Sequence, residues 1–218
     1  MATDPNAWFR AGEFSIASGT WADASGGGNT ATLSGSGFAA LAESGHGAAA
    51  SVAALQGTTA SVVSFGSIIK SSFTICSVTR YTGGIKWRIL NGGGQNWLHG
   101  HGGEKAGVAY YRRWKTSRMA GSVRPNTDWV VMCGTNAGSQ LKLVNGVDVG
   151  TASGGLGGVS LWINGGNYMP GAGSDFAIAE LITWPRGLTS DEMYCASDYL
   201  TNLVLAPAAG STATRASG

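Results

Sequence analysis

The residues best suited to chemistry lie in one glycine-rich segment, residues 91–115, where aromatic rings are interleaved with amide and imidazole side chains. A sugar can lay its C–H face on an aromatic ring while amides and imidazoles hydrogen-bond its hydroxyls, so the segment suits a glycan. The same residue types carry the energy of many protein interfaces, and large aromatics also anchor long loops to a core. All three interpretations stay open for Asn96, Trp97, His99, His101, Tyr110, Tyr111 and Trp114.

A basic patch overlaps the end of this segment. Basic side chains interleaved with an aromatic ring are typical of nucleic-acid binding. The net charge of the whole chain is only +2, however, which gives no general attraction to nucleic acid or anionic lipid. We therefore expect no nucleic-acid partner, and expect either a solvated loop or a contact for an acidic partner. The patch consists of Arg112, Arg113, Lys115 and Arg118, with Arg124 further along the chain.

Two histidines suggest a metal site only weakly. His99 and His101 are two residues apart, so on a strand they could point the same way and share an ion. Zinc needs a third ligand and groups that orient its histidines, and the spacing does not select one from Glu104, Asp128 or His46. No loop for calcium can be assigned either. We expect no metal ion and no cofactor.

The carboxylates do not form a catalytic pattern. Glycoside hydrolysis needs two carboxyl groups flanking the scissile bond. Glu180 is the only carboxylate well inside a clear strand pattern, and it has no partner on that strand. We expect Glu180 to bond a neighbouring backbone group or an arginine, and the protein not to be an enzyme.

Composition favours a protein that works by contact. The chain has 218 residues, which suits one all-β domain, and only 12% are charged against a usual value of about 25%. A surface covered by Gly, Ser, Thr, Ala and Asn costs little to dehydrate, so contact with proteins or glycans is favoured. No apolar run is long enough to span a membrane. We expect an extracellular or particle-surface location, although residues 1–14 lack the pattern of a signal peptide.

The sequence does not show whether the three cysteines are free thiols or form a disulfide. Cys76, Cys133 and Cys195 lack metal-binding spacing. A disulfide between Cys76 and Cys133 is one alternative, because both residues lie in predicted strands. We expect three separate buried thiols, since cysteine is often simply a small core residue.

Short strands alternate with glycine-rich turns along the chain, which predicts an all-β antiparallel sandwich with one short C-terminal helix. Asn145-Gly146 predicts a type I′ hairpin. Thr189 and Glu192 have capping-box spacing, so a helix should begin near Ser190. The pattern places Phe176, Ile178, Ile182 and Trp184 on one side of a strand over 175–184, and Leu203 on the buried side of the helix. Further strands include 61–65, 73–80, 86–90, 107–111, 129–133 and 159–163, whereas 43–55 is unassigned.

Four segments, in this order, resemble the concanavalin A-like superfamily and in particular its laminin-G-like jelly rolls: SFTICSVTRYTGG, TDWVVMCGTNAGSQLKLVNGVDVG, VSLWINGG and DFAIAELITWPRGLTSDEMY. The resemblance implies a jelly roll over 1–204, followed by a low-complexity tail, 205–218. Hydrolases of that superfamily typically carry Glu-x-Asp-x-Glu on one strand, and this chain has no Glu with Asp two residues later.

These observations lead to a primary and an alternative function. The low charge and the tail favour a non-catalytic structural subunit that binds copies of itself in a filament, coat or extracellular matrix, with the tail as an assembly arm. The alternative is a lectin or adhesion module that binds carbohydrate. A glycan hydrolase has the least support.

Overall fold

The computed structural model describes residues 2–116, 123–150, 154–166 and 168–205. Over these residues the chain forms two antiparallel sheets packed face to face and one helix, which confirms the predicted β-sandwich. The strands are β1 (Ala7–Arg10), β2 (Phe14–Ser15), β3 (Thr20–Trp21), β4 (Ala31–Gly35), β5 (Ala39–Gly45), β6 (Ala48–Gly57), β7 (Ser61–Ile69), β8 (Thr74–Tyr81), β9 (Leu90–Gly92), β10 (Trp97–Gly102), β11 (Lys105–Tyr111), β12 (Trp114–Lys115), β13 (Val130–Thr135), β14 (Lys142–Val144), β15 (Val147–Asp148), β16 (Val159–Ile163) and β17 (Phe176–Trp184), and the helix is α1 (Ser190–Val204).

The two sheets differ in what covers them. The eight-stranded sheet has the order β15-β14-β13-β8-β17-β6-β5, with β1 paired to β17. Helix α1 packs on its outer face. The nine-stranded sheet has the order β12-β11-β10-β9-β16-β7-β4-β3-β2. Because α1 packs on the other sheet, it does not cover the outer face of the nine-stranded sheet.

The main core lies between the sheets and follows from strand alternation. On β16, Val159, Leu161 and Ile163 are buried, whereas Ser160 and Trp162 between them are only partly covered. Burial of one large apolar side chain contributes roughly 1.5–3 kcal/mol. The aromatic side chains in this core are Phe9, Trp21, Phe65, Phe73, Tyr81, Trp97, Tyr111 and Phe176.

Strand β17 departs from the predicted alternation. Phe176 and Ile178 join the core between the sheets, as one face of a strand should. Ile182 and Trp184, predicted on that same face, pack beneath α1 instead. The pairing of β17 with β8 shifts between Ile178 and Glu180, and this β-bulge adds one residue and reverses the alternation. The prediction of a single continuous face was therefore wrong.

Helix α1 begins at the predicted capping box. The Thr189 hydroxyl accepts from the Glu192 backbone N–H at 3.3 Å, and the Glu192 carboxylate accepts from the Thr189 backbone N–H at 2.9 Å. Two backbone donors that the helix cannot satisfy are thereby paired. Leu203 was expected on the buried face but is 49% exposed, and Val204 takes that position. The buried residues are Met193, Ala196, Ser197, Leu200 and Val204.

The cysteine prediction was wrong. Cys76 and Cys133 lie directly opposite each other on the neighbouring strands β8 and β13, with Cα atoms 4.1 Å apart, and form a disulfide. The sequence places both cysteines in strands but does not give the pairing partner, which strand order alone provides. Cys195 has a free thiol and is exposed on α1 rather than buried.

Local turn chemistry was predicted better than strand extent. Asn145 and Gly146 have φ of +48° and +79°, as a type I′ turn requires. The unassigned alanine-rich segment forms the β5–β6 hairpin. The predicted strand over 86–90 was wrong, because only its last residue enters β9.

At the C-terminal end, Leu205 forms one backbone bridge with Ala48. The rest of the predicted tail, 206–218, lies outside the described residues. No helix in the described ranges is long and apolar enough to cross a membrane.

Candidate functional site

Four of the seven predicted contact residues lie inside the sandwich. Trp97, His99, His101 and Tyr111 are completely buried, on the inner side of β10 and β11. Their rings pack together: Trp97 stacks on Tyr111 with centroids 5.0 Å apart. For these four residues the structure supports core anchoring, and none of them offers a surface to a ligand.

The two histidines take part in hydrogen bonds within the core. His99 Nε2 lies 3.1 Å from the carbonyl oxygen of Met132, so it carries the proton, and Nδ1 accepts from the Tyr111 hydroxyl at 2.7 Å. Burial lowers the pKa of His99 to about 4 and that of His101 to about 3. His101 Nδ1 lies 3.2 Å from the Thr79 hydroxyl. Both imidazoles are therefore neutral near pH 7.

Four of the other predicted residues lie at or near the surface. Asn96 and Tyr110 are half-buried, Arg112 is partly covered and Arg113 is exposed. Trp114 and Lys115 form β12, which pairs with β11. Arg118 lies outside the described residues. The structure thus divides the predicted cluster between the core and the edge of the nine-stranded sheet.

Glu180 has partners other than the predicted ones. Its Oε1 accepts from the Trp8 indole N–H at 2.6 Å and from the Tyr199 hydroxyl at 3.5 Å, rather than from a backbone group or an arginine. Burial raises the pKa of this carboxyl group. Glu180 belongs to the eight-stranded sheet, beside β1, and so lies on the opposite sheet from the predicted aromatic cluster.

A row of side chains crosses the outer face of the nine-stranded sheet. Its centre is Trp162 on β16, which lies directly opposite Asn91 on β9. Directly opposite residues share a face, and these positions alternate with core residues, so the row points away from the other sheet. Across six strands the row reads Tyr110, Leu98, Asn91, Trp162, Ser64 and Thr32. We call these six residues the outer row.

Glycine backbone approaches the Trp162 indole closely. A Cβ added to Gly93, Gly165 or Gly166 would lie 2.6–2.9 Å from an indole atom, closer than real contacts allow. Only glycine lets the chain approach the ring this closely. Asn91 Nδ2 donates to the Trp162 carbonyl oxygen at 3.4 Å. The indole is thus closely packed against glycine backbone, while Trp162 as a whole remains partly exposed.

Two loops form the rim beside this row. Asp175 donates its backbone N–H to the Ile85 carbonyl oxygen at 2.9 Å and accepts from the Ile85 N–H through Oδ2 at 3.1 Å. The loops expose apolar side chains: Trp87 is 50% exposed and Tyr168 is 43% exposed. Exposed aromatic side chains beside a sheet face that α1 does not cover make this region the candidate binding surface.

Sequence reasoning named Tyr110 but missed the other five residues of the outer row and the rim. The signal for Trp162 was present, because the alternation over 159–163 puts an indole on the polar side of a half-buried strand. For Asn91 and Trp87 no local signal existed. Their positions depend on the pairing of β9 with β16 and on the contact between two loops distant in sequence.

The residues that the structure describes contain no group of three or more His, Cys, Asp or Glu side chains placed to hold a metal ion. What the arrangement offers is an aromatic face, amide groups and backbone, which can bind a ligand by stacking and hydrogen bonding.

No protein-family model matches the chain, and no curated protein matches it in sequence. Solved structures are similar in fold. Domain 4 of AbnA, a GH43 extracellular arabinanase from Geobacillus stearothermophilus, solved in complex with arabinotriose, has a TM-score of 0.60 at 13% identity; the match covers 93% of this chain and 99% of that domain.

Two further similar structures are larger. Trypanosoma rangeli sialidase, in complex with 2,3-difluorosialic acid, has a TM-score of 0.57 at 12% identity, and the match covers 90% of this chain but 33% of the sialidase. The binding domain of Paraclostridial Mosquitocidal Protein 1 has a TM-score of 0.56 at 13% identity, over 90% of this chain and 52% of that chain. This chain therefore spans about a third of the sialidase. At such identities these similarities establish the β-sandwich fold alone.

Proposed function

We propose that this protein is a non-catalytic glycan-binding module of the concanavalin-like jelly-roll type, and that its binding surface is the outer row. The observation that carries the proposal is the position of Trp162. It is partly exposed, closely packed against glycines, and placed in the middle of a sheet face that the helix does not cover.

The chemistry of the outer row suits a sugar chain. Trp162 and Tyr110 supply aromatic faces for the C–H side of pyranose or furanose rings, and Asn91 lies between their strands. Neighbouring strands lie about 4.8 Å apart, so a chain laid across the strands would meet the row over several sugar units. A flat, extended surface of this kind binds along a polymer rather than enclosing one residue.

The fold comparisons support carbohydrate binding over self-assembly. The arabinanase domain that this chain resembles was solved with arabinotriose, so the same fold holds an oligosaccharide in that protein. A second similar structure is described as a binding domain. The structural-subunit function that low charge suggests has no such support, and its tail lies outside the described residues beyond Leu205.

The position of Glu180 favours contact without catalysis. The carboxylate is nearly buried, accepts from an indole and a phenol, and lies on the opposite sheet from the outer row. An extracellular location is in keeping with the Cys76–Cys133 disulfide, since disulfides persist in oxidising compartments.

A glycan array followed by affinity electrophoresis in soluble polysaccharides tests the proposal. Trp162→Ala should weaken binding about tenfold or more, because it removes the stacking face. The matched control is Tyr194→Ala on α1, an aromatic of the opposite side of the molecule, which should bind as the unchanged protein does. Trp97→Ala would not be informative, because Trp97 is fully buried. Equal binding by Trp162→Ala and the unchanged protein, or no glycan bound at all, would overturn the proposal.

A further inference from the structure

An arginine lies beside the outer row without a carboxylate partner. Arg88 is in the loop before β9, and its backbone N–H donates to the Ala172 carbonyl oxygen at 3.0 Å, so it joins the two rim loops. The ion pairs of the described residues involve Arg80, Arg186 and His46, not Arg88. Its positive charge is therefore not balanced by an ion pair within the described part of the chain.

The neighbours of the guanidinium group are neutral. Nη2 donates to Asn96 Oδ1 at 2.7 Å and to Met169 Sδ at 3.3 Å, and Cζ lies 5.6 Å from the centroid of the Tyr168 ring. Nη1 is buried and has no hydrogen-bond partner among the described residues. A buried charged donor without an acceptor is costly. These contacts orient the guanidinium group and leave its charge without an anionic partner among the described residues.

The guanidinium group borders a small polar pocket. This pocket has a volume of about 50 Å³ and is lined by Arg88, Asn91, Asn164 and Met169, together with the backbone of 171–173 and Gly165. About 10–15 Å³ of such space holds one water molecule, so the pocket has room for a group the size of a carboxylate. Because Asn91 belongs to both the pocket and the outer row, the pocket lies beside Trp162.

We propose that the Arg88 pocket binds the carboxylate of an acidic sugar, a hexuronic or sialic acid residue, whose ring lies outside the pocket against the outer row. This inference rests on the proposed glycan-binding function and adds the substrate class. The carboxylate pairs with the guanidinium group of Arg88, and its charge balances that of the arginine. Arginine suits this task because its planar group pairs with carboxylates in a fixed geometry.

Matched polymers test the proposal directly. Polygalacturonate, alginate and polysialic acid are each compared with their own carboxyl-reduced forms, which keep the sugar backbone and lose the charge. At least one acidic polymer should bind about tenfold or more tightly than its reduced form, as expected for a hydrogen bond to a charged group. This preference should persist in 0.5 M salt, because partly buried pairs are screened less than exposed ones.

Variants separate Arg88 from general charge. Arg88→Gln should bind the acidic and reduced polymers equally, while Arg88→Lys should keep a reduced preference, because lysine retains the charge without the planar group. Arg113→Gln removes an exposed arginine and should change nothing. Near-ultraviolet circular dichroism checks that each variant is folded. If Arg88→Gln does not fold, the proposal is tested by whether the unchanged protein still prefers an acidic polymer to its reduced form in 0.5 M salt.

The outcomes distinguish this inference from the proposed function. Binding of neutral polymers that equals or exceeds binding of acidic ones overturns the carboxylate site and leaves glycan binding intact. A preference that Arg113→Gln also abolishes, or that dextran sulfate reproduces over dextran, reduces the effect to general charge attraction and likewise overturns it. Failure to bind any polymer, acidic or neutral, overturns both.

Discussion

The disulfide between β8 and β13 should contribute a large part of the stability of this sandwich. Cys76 and Cys133 are separated by 57 residues in sequence. Closing a loop of that length in the unfolded chain removes conformational entropy worth about 4 kcal/mol at 25 °C in the chain-entropy model. Since whole domains are stable by about 5–15 kcal/mol, loss of the bond should be easy to measure.

The disulfide is removed in two ways, so that the effect of losing the cross-link can be separated from the effect of losing the cysteine side chains. Reduction of the unchanged protein breaks the bond and keeps both sulfur atoms. The double variant Cys76→Ala/Cys133→Ala removes them, and should cost slightly more because both sites are completely buried. Cys195→Ala is the matched control: its thiol is free and exposed, so the change should stay within about 0.5 kcal/mol.

Urea unfolding followed by tryptophan fluorescence measures these differences. The midpoint should fall in both treated samples, and the free energy of unfolding should drop by about 4 kcal/mol. Thiol titration of the non-reduced protein in denaturant should find one reactive thiol per chain. Three reactive thiols, or an unfolding free energy unchanged by reduction, would refute the reasoning.

Two further predictions concern stability. The buried histidines His99 and His101 have pKa values of about 4 and about 3, so below pH 6.5 the unfolded chain takes up protons that the folded chain refuses. Stability is therefore complete above pH 6.5 and should fall by about 4 kcal/mol between pH 7.5 and pH 5. In urea unfolding across this range, uptake of fewer than one proton on unfolding would contradict the assigned burial. Thr189→Ala removes the N-cap hydroxyl and should cost about 1 kcal/mol in thermal or urea unfolding; Ser190→Ala, next to it and exposed, is the control, and an equal loss in both variants would exclude the cap as the cause.

Local features were predictable because they depend on neighbours in the sequence. The Asn145-Gly146 turn needs two residues that accept positive φ, and the Thr189–Glu192 cap needs two side chains at a fixed spacing. The antiparallel sandwich likewise follows from alternating apolar strands between turns. Strand extent was less accurate, since the loop around Trp87 is fixed by hydrogen bonds to a segment that lies 87 residues away.

The same distinction between local and long-range features applies to the functional residues. The sequence alone determined that the protein is all-β, poor in charge and rich in aromatic side chains with amide neighbours. It could not determine which rings face outward: Trp97 and Tyr111 point into the core, while Trp162 does not. That choice depends on which face of each strand meets the second sheet.

Tertiary structure alone decided the side reversal on β17, the Cys76–Cys133 pair and the Arg88 pocket. Each brings together residues from separate strands or loops. The physical reason is that strand pairing and sheet packing set long-range neighbours, whereas composition and periodicity describe only the chain on either side of a residue.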